Sequence, residues 1–360
     1  MNPILYIEKN QKVKLPKKYH ETNNICAIIY DQITEIFTED FYKELYQTEV
    51  KKTEHENFEE YLKENKIHIL DWLKTNQRND ELEIILTKHI ALSVISDFIN
   101  FIFESLYCAQ RGKMTVAYAL LRKPFTDELL ILEQLLINKK DFINRFFHDG
   151  NPENYDPSSR DVNKTEIINK ACEKLTLNLF FPSDLIFDMR YNKSYDAGIN
   201  GSSNQALHIV TKDKNYKTAE QNLNFVFSNK EDHQTYLENY YFIVPHLLFY
   251  AVSIIDQIIF ELIDNEKAKS HKIIKEFQRL VGFILFTESS ELYSKNKTKK
   301  ILDIIGNTLE FKCENCNKIN IMDKADLELF FKTEIFICTK CFNNLISNEN
   351  VSQMKKIMKK

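Results

Sequence analysis

The stretch 80-DELEIILTKHIALSVISDFINFIFESLYCAQR-111 decides the fold class. Leu82, Ile84, Ile85, Leu86, Ile90, Leu92, Val94, Ile95, Phe98, Ile99, Phe101, Ile102, Phe103 and Leu106 put apolar side chains nearly all round a helix. A helix of that kind sits at the centre of a bundle or in a bilayer. Asp97, Asn100 and Glu104 interrupt it at helical spacing, and such groups are costly in hydrocarbon. The expectation is a buried central helix, ended by Gly112 as its C-terminal cap.

Outward from this helix the same architecture continues. Six glycines and seven prolines punctuate 360 residues, far fewer than a strand-rich fold needs for its turns. The 43% hydrophobic and 12% aromatic content supports a sizeable core. The sequence therefore predicts an all-α, multi-helix bundle over 22–306. An N-terminal arm (1–21) precedes it, and a four-cysteine module (307–346) and a basic tail (347–360) follow. Ile25–Phe37, Asn57–Asn76 and Asn163–Leu179 show apolar residues at three- and four-residue spacing. Ser183 or Asp184 is the expected cap of a short helix to Arg190. A long helix is expected over Thr235–Ile263, whose uncharged middle ends at Asp256. Two more are expected over Ile273–Phe286 and Leu292–Ile305, the last with a basic run Lys295–Lys300. None of these reads as a membrane span.

Met114–Leu121 begins another helix, and Pro124 kinks it before Phe125–Leu136 resumes the pattern. Arg122 lies at the kink, beside Asp127, Glu128 and Glu133. It reads either as half of an internal salt bridge or as an anion holder in a pocket. Residues 149–162 form the clearest loop. The segment Arg190–His208 concentrates glycine, serine, asparagine and tyrosine, and covers either a surface or a site. His208, between Leu207 and Ile209, reads either as a satisfied core residue or as an acid, base or ligand.

Near the C-terminus stand Cys313-Glu314-Asn315-Cys316 and Cys338-Thr339-Lys340-Cys341. Two C-x-x-C knuckles about twenty residues apart match the spacing of a zinc site. Leu309–Phe311 and Ile335–Ile337 read as strands delivering the knuckles, with a short helix over Asp323–Phe331, as in a zinc ribbon or treble-clef-like finger. Asn317 stands where glycine is often required, and asparagine tolerates left-handed backbone. Four cysteines leave no open coordination position, so Zn2+ is expected to be structural, with an iron–sulfur cluster the remote alternative. Cys26, Cys108 and Cys172 are isolated and read as buried apolar residues. The lysine-rich start lacks a secretory h-region, and reduced thiols suit a cytoplasmic protein.

A net charge of −4 argues against a wholesale nucleic-acid coat. Ala119–Phe125, and Arg190-Tyr191-Asn192-Lys193 leading to His208, resemble a diffuse class of uncharacterised bacterial helical proteins. Some of these are similar to HEPN-type ribonuclease domains of defence and abortive-infection systems. The resemblance covers under half the chain. It implies an RNA substrate and a helical fold. The HEPN signature, an arginine and a histidine separated by four to six residues, is missing: in Arg145-Phe146-Phe147-His148 the two are too close. Two functions are thus expected. One is a binding protein whose zinc module engages a protein or RNA partner. The other is a metal-independent RNA nuclease using Arg190, Asp196 and His208, with Arg122. A homodimer is compatible with either.

Overall fold

A computed structural model describes residues 2–50, 58–263, 265–289, 301, 304–305 and 309–358. Residue 57, most of the expected helix 292–305 with its basic run, the boundary at Gly306-Asn307 and the final two lysines lie outside them. Among the described residues the regular structure is helical, apart from two short strands near the knuckles.

The helices are α1 (His20–Thr38), α2 (Phe58–Glu64), α3 (Ile69–Thr75), α4 (Asn79–Gln110), α5 (Met114–Arg122), α6 (Leu129–Ile143), α7 (Lys164–Glu173), α8 (Ser183–Arg190), α9 (Ile199–Leu207), α10 (Lys230–Leu262) and α11 (Glu266–Ser289). The long apolar stretch forms α4, and Gly112 ends it at φ 70° with its N–H on the Ala109 carbonyl. Yet α4 is not the innermost helix. His89, Ser93, Asn100 and Glu104 line one exposed stripe along it. The centre is α10, in which every residue from Ile243 to Asp256 is buried. It packs against α1, α4, α5, α6 and α11. By length and composition α10 could cross a membrane, but 89% of its most apolar window is buried inside the protein.

The N-terminal arm is pinned to the bundle. Leu5, Ile7 and Leu15 are buried. Asn23 Nδ2 donates to the Leu5 carbonyl (2.9 Å), and the Asn24 amide exchanges two hydrogen bonds with Ile7. The single helix expected over 57–76 is two, because Lys66 turns the chain through φ 53°. Asn229 and Asp232 form the capping box that starts α10. Pro182, not a capping side chain, precedes α8.

Pro124 widens rather than breaks its helix. Residues 123–128 form a π-turn, in which the Leu129 N–H reaches back to the Pro124 carbonyl. Proline has no N–H and crowds the preceding turn, and a π-bulge relieves both problems within a continuous helix. The turn presents the Phe125 and Thr126 carbonyls to α8, where Arg190 Nε (2.7 Å) and the Tyr191 hydroxyl (2.5 Å) donate to them.

The C-terminal module holds strands β1 (Glu310–Lys312) and β2 (Ile319–Ile321) and helices α12 (Lys324–Thr333) and α13 (Asn348–Met358). The tail is therefore not a solvated end. It is largely α13, which buries Val351 and Met354 and packs on α11 and β1. The module is docked, not loose. α12 buries Leu327, Phe330 and Phe331 against α11. Gln32 Nε2 (2.7 Å) and Gln278 Nε2 (2.9 Å) both donate to the Phe331 carbonyl, satisfying an acceptor that the end of a helix leaves orphaned. Lys275, 1% exposed, is paired with Glu35 of α1 and with Glu334 just past α12.

Candidate metal centre

The two knuckles are near-copies built from one hairpin plan. In the first, the Cys313 N–H donates to the Lys318 carbonyl and the Asn317 N–H to the Cys313 carbonyl. In the second, Cys338 N–H meets Asn343 and Phe342 N–H meets Cys338 in the same pattern. Lys312 pairs with Ile319, and Ile337 pairs with Asn344, so each residue before a knuckle faces the same offset beyond it. The fourth residue after each leading cysteine is left-handed, with φ 57° at Asn317 and 58° at Phe342. Only an isolated bridge, not a full strand, forms at Ile337. The hairpins press Phe311 against Phe336, with ring centroids 5.2 Å apart and near-perpendicular planes. Phe330 and Phe277 continue these ring contacts into α11.

This plan brings Cys313, Cys316, Cys338 and Cys341 together, with all four sulfurs within 4.8 Å of one another. Cys313 and Cys341 approach to 3.5 Å, and Cys316 and Cys338 to 3.6 Å. A tetrahedral ion with metal–sulfur bonds of about 2.3 Å separates its ligand sulfurs by about 3.8 Å. The cluster is able to hold such an ion. Cys313 and Cys338 are fully buried, whereas Cys316 and Cys341 are partly exposed.

Groups behind two of the sulfurs, Cys338 and Cys341, favour the ionised form, whereas at Cys316 the Lys318 N–H is outweighed by burial and the neighbouring thiols, which push its pKa up to about 11. Burial pushes the Cys338 thiol up, but the N–H groups of Lys340 and Cys341, joined by Cys316 and the Asn320 amide, bring its pKa down to about 6. The Asn343 N–H leads the groups that lower Cys341. Asn320 was not singled out by its sequence, yet it is buried. It points its amide at Cys338 Sγ (3.6 Å) and accepts from the Thr339 N–H and hydroxyl, both at 3.0 Å. Its signal was the repeat Phe311-Lys312-Cys313 and Phe336-Ile337-Cys338, which fixes which neighbours face inward.

The four residues expected around a nucleolytic site do not share an open cleft. Arg190 is fully buried and forked on Glu133, with Nη1–Oε1 at 2.5 Å and Nη2–Oε2 at 3.0 Å. The Tyr250 hydroxyl adds 2.6 Å to the same carboxylate. Arg122, Asp196 and His208 are exposed. Arg122 makes neither the buried pair nor the pocket expected of it. The internal pair beside the kink exists, but its arginine is Arg190, because the π-turn leaves Arg122 facing solvent. Lys123 instead pairs with Asp97 and with Glu128 (3.2 Å). His208 ends α9 at the surface, with its carbonyl accepting from Asn224. The polar composition of 190–208 serves packing: Ser203 Oγ donates to the Tyr118 carbonyl (2.8 Å), and Asn200 Nδ2 to the Tyr191 carbonyl. Of the lone cysteines, Cys26 and Cys172 are buried and Cys108 is partly exposed.

Comparison with protein-family profiles, curated proteins and solved structures gives no match.

Proposed function

We propose that this is a zinc-stabilised binding protein. Cys313, Cys316, Cys338 and Cys341 hold one structural Zn2+, and the docked module presents its knuckle tips to a protein or nucleic-acid partner. The observation that carries this reading is the closed set of four converging sulfurs on a module locked to α11. Four protein ligands fill a tetrahedral shell, so the ion has no position for water or substrate. Soft thiolates select zinc or iron over magnesium and calcium. A multi-iron cluster would need room for its iron and sulfide between the cysteines, and the spacing suits one ion better. Arg190, fully spent on Glu133 and the Phe125 carbonyl, is withdrawn from the nuclease reading, which keeps only the exposed Arg122 as a cation.

Elemental analysis of protein purified without added metal tests the metal. One zinc per chain is expected, with loss of that zinc in Cys316→Ser and Cys341→Ser variants. A folded chain carrying no stoichiometric metal, or iron alone, would sink the assignment.

A further inference from the structure

The near-copy knuckles part company at one informative position. Asn317 and Phe342 occupy equivalent left-handed sites, φ 57° and 58°. Asparagine adopts that backbone readily, but a bulky aromatic residue does so at a cost. Burial does not offset the cost, because Phe342 is 80% exposed. Nor does the ring join the Phe330–Phe336–Phe311 contacts beneath it. A strained, solvated aromatic ring beside a metal site is a feature that folding alone would remove, and such strain gathers at functional positions.

Its surroundings narrow the occupant. Glu314, Asn315, Asn317, Lys318, Thr339, Lys340 and Asn343 are all exposed on the same two knuckle turns. Lys318 Nζ donates to the Thr339 hydroxyl (2.7 Å), which ties the two tips together. Among the described residues, neither Lys318 nor Lys340 is ion-paired with a carboxylate. The core of a protein–protein interface gathers several apolar side chains and excludes lysine. Here Phe342 is the one ring on turns that carry lysines and amides with a single acid, Glu314, while the exposed Ile319 and Ile337 sit behind the turns on the hairpin stems. A nucleobase fits that setting: its face stacks on an aromatic ring, its flanking phosphates attract lysine, and its edges hydrogen-bond to amides. A duplex hides the base faces, so the strand must be single.

We propose that the knuckle tips bind single-stranded nucleic acid, with Phe342 stacked on a base and Lys318 and Lys340 on adjacent phosphates. This rests on the reading of the module as a zinc-held binding surface.

The test uses the full zinc-loaded chain and fluorescence anisotropy with labelled single strands of about 12 nucleotides, within the usual site size. RNA, DNA of the same sequence and the corresponding duplex are separate arms. One or both single strands are expected to bind more tightly than duplex, and the RNA and DNA arms decide the sugar. Phe342→Asn, which copies the sister knuckle, is expected to weaken binding on the order of tenfold. It should keep its zinc and melt no lower than wild type, so a loss cannot be blamed on misfolding. Combined Lys318→Ala and Lys340→Ala should flatten the salt dependence by about one to two phosphate contacts. A zinc-loaded chain that binds neither strand, prefers duplex, or binds equally well with Phe342→Asn overturns the inference. If that zinc-loaded chain instead loses a protein partner in Phe342→Asn, the binding module stands and its nucleic-acid ligand does not. A chain without zinc fails at the earlier step.

Discussion

At the scale of single residues, Arg190 shows how a charge can be conspicuous in a sequence for structural reasons. The Pro124 kink exposes backbone carbonyls inside the bundle, and a guanidinium with five donors can meet them while forking on Glu133. Removing one partner of a fully buried pair leaves the other charge stranded, at a cost of about 3–5 kcal/mol. Glu133→Ala is therefore expected to lose about that much stability in urea unfolding, while Asp196→Ala and His208→Ala, both at the surface, stay within about 0.5 kcal/mol. A loss below about 1 kcal/mol for Glu133→Ala would show that Arg190 is not held as described. Sequence spacing pointed to a buried ion pair here and chose the wrong arginine. An ideal 3.6-residue period cannot anticipate the extra residue that a π-turn inserts.

Elements were more legible than their contacts. The knuckles, Asn317 in left-handed backbone and most helices follow from periodicity and motif. The central role of α10, the stripe that exposes α4, and the folding of the tail into α13 follow from packing, which spacing does not encode. The α11–α12 contact is the sharpest case. Gly282 lies where a Cβ would stand 2.7 and 2.8 Å from two atoms of the Phe331 ring. Phe331 is 1% exposed and its carbonyl is fixed by Gln32 and Gln278, so it has little room to retreat. In an open helix Gly→Ala stabilises by about 1 kcal/mol. Gly282→Ala is expected to do the opposite and cost about 1–3 kcal/mol through overpacking. A variant that melts at or above the wild-type temperature would show that the module yields easily at this seam.

For the whole molecule, that seam makes an ion held by the four cysteines a matter for the bundle as well. An ion that binds only the folded state at about 1,000 times its Kd adds about 4 kcal/mol. In a chain whose module and bundle unfold together, stripping it should lower the melting temperature of the helical signal by about 5 °C. Two separate transitions, with the bundle melting unchanged after chelation, would contradict a shared core. Lys275 gives this coupling a direction in time. Its partner Glu334 is synthesised 59 residues later, and the Gln32 amide waits 299 residues for the Phe331 carbonyl. During synthesis α1 and α11 are made before Glu334, so Lys275 is short of one of its two counter-charges until α12 has followed. The C-terminal module thus closes contacts begun by the first helix, and native packing around Gln32 and Lys275 waits on residues made long after them.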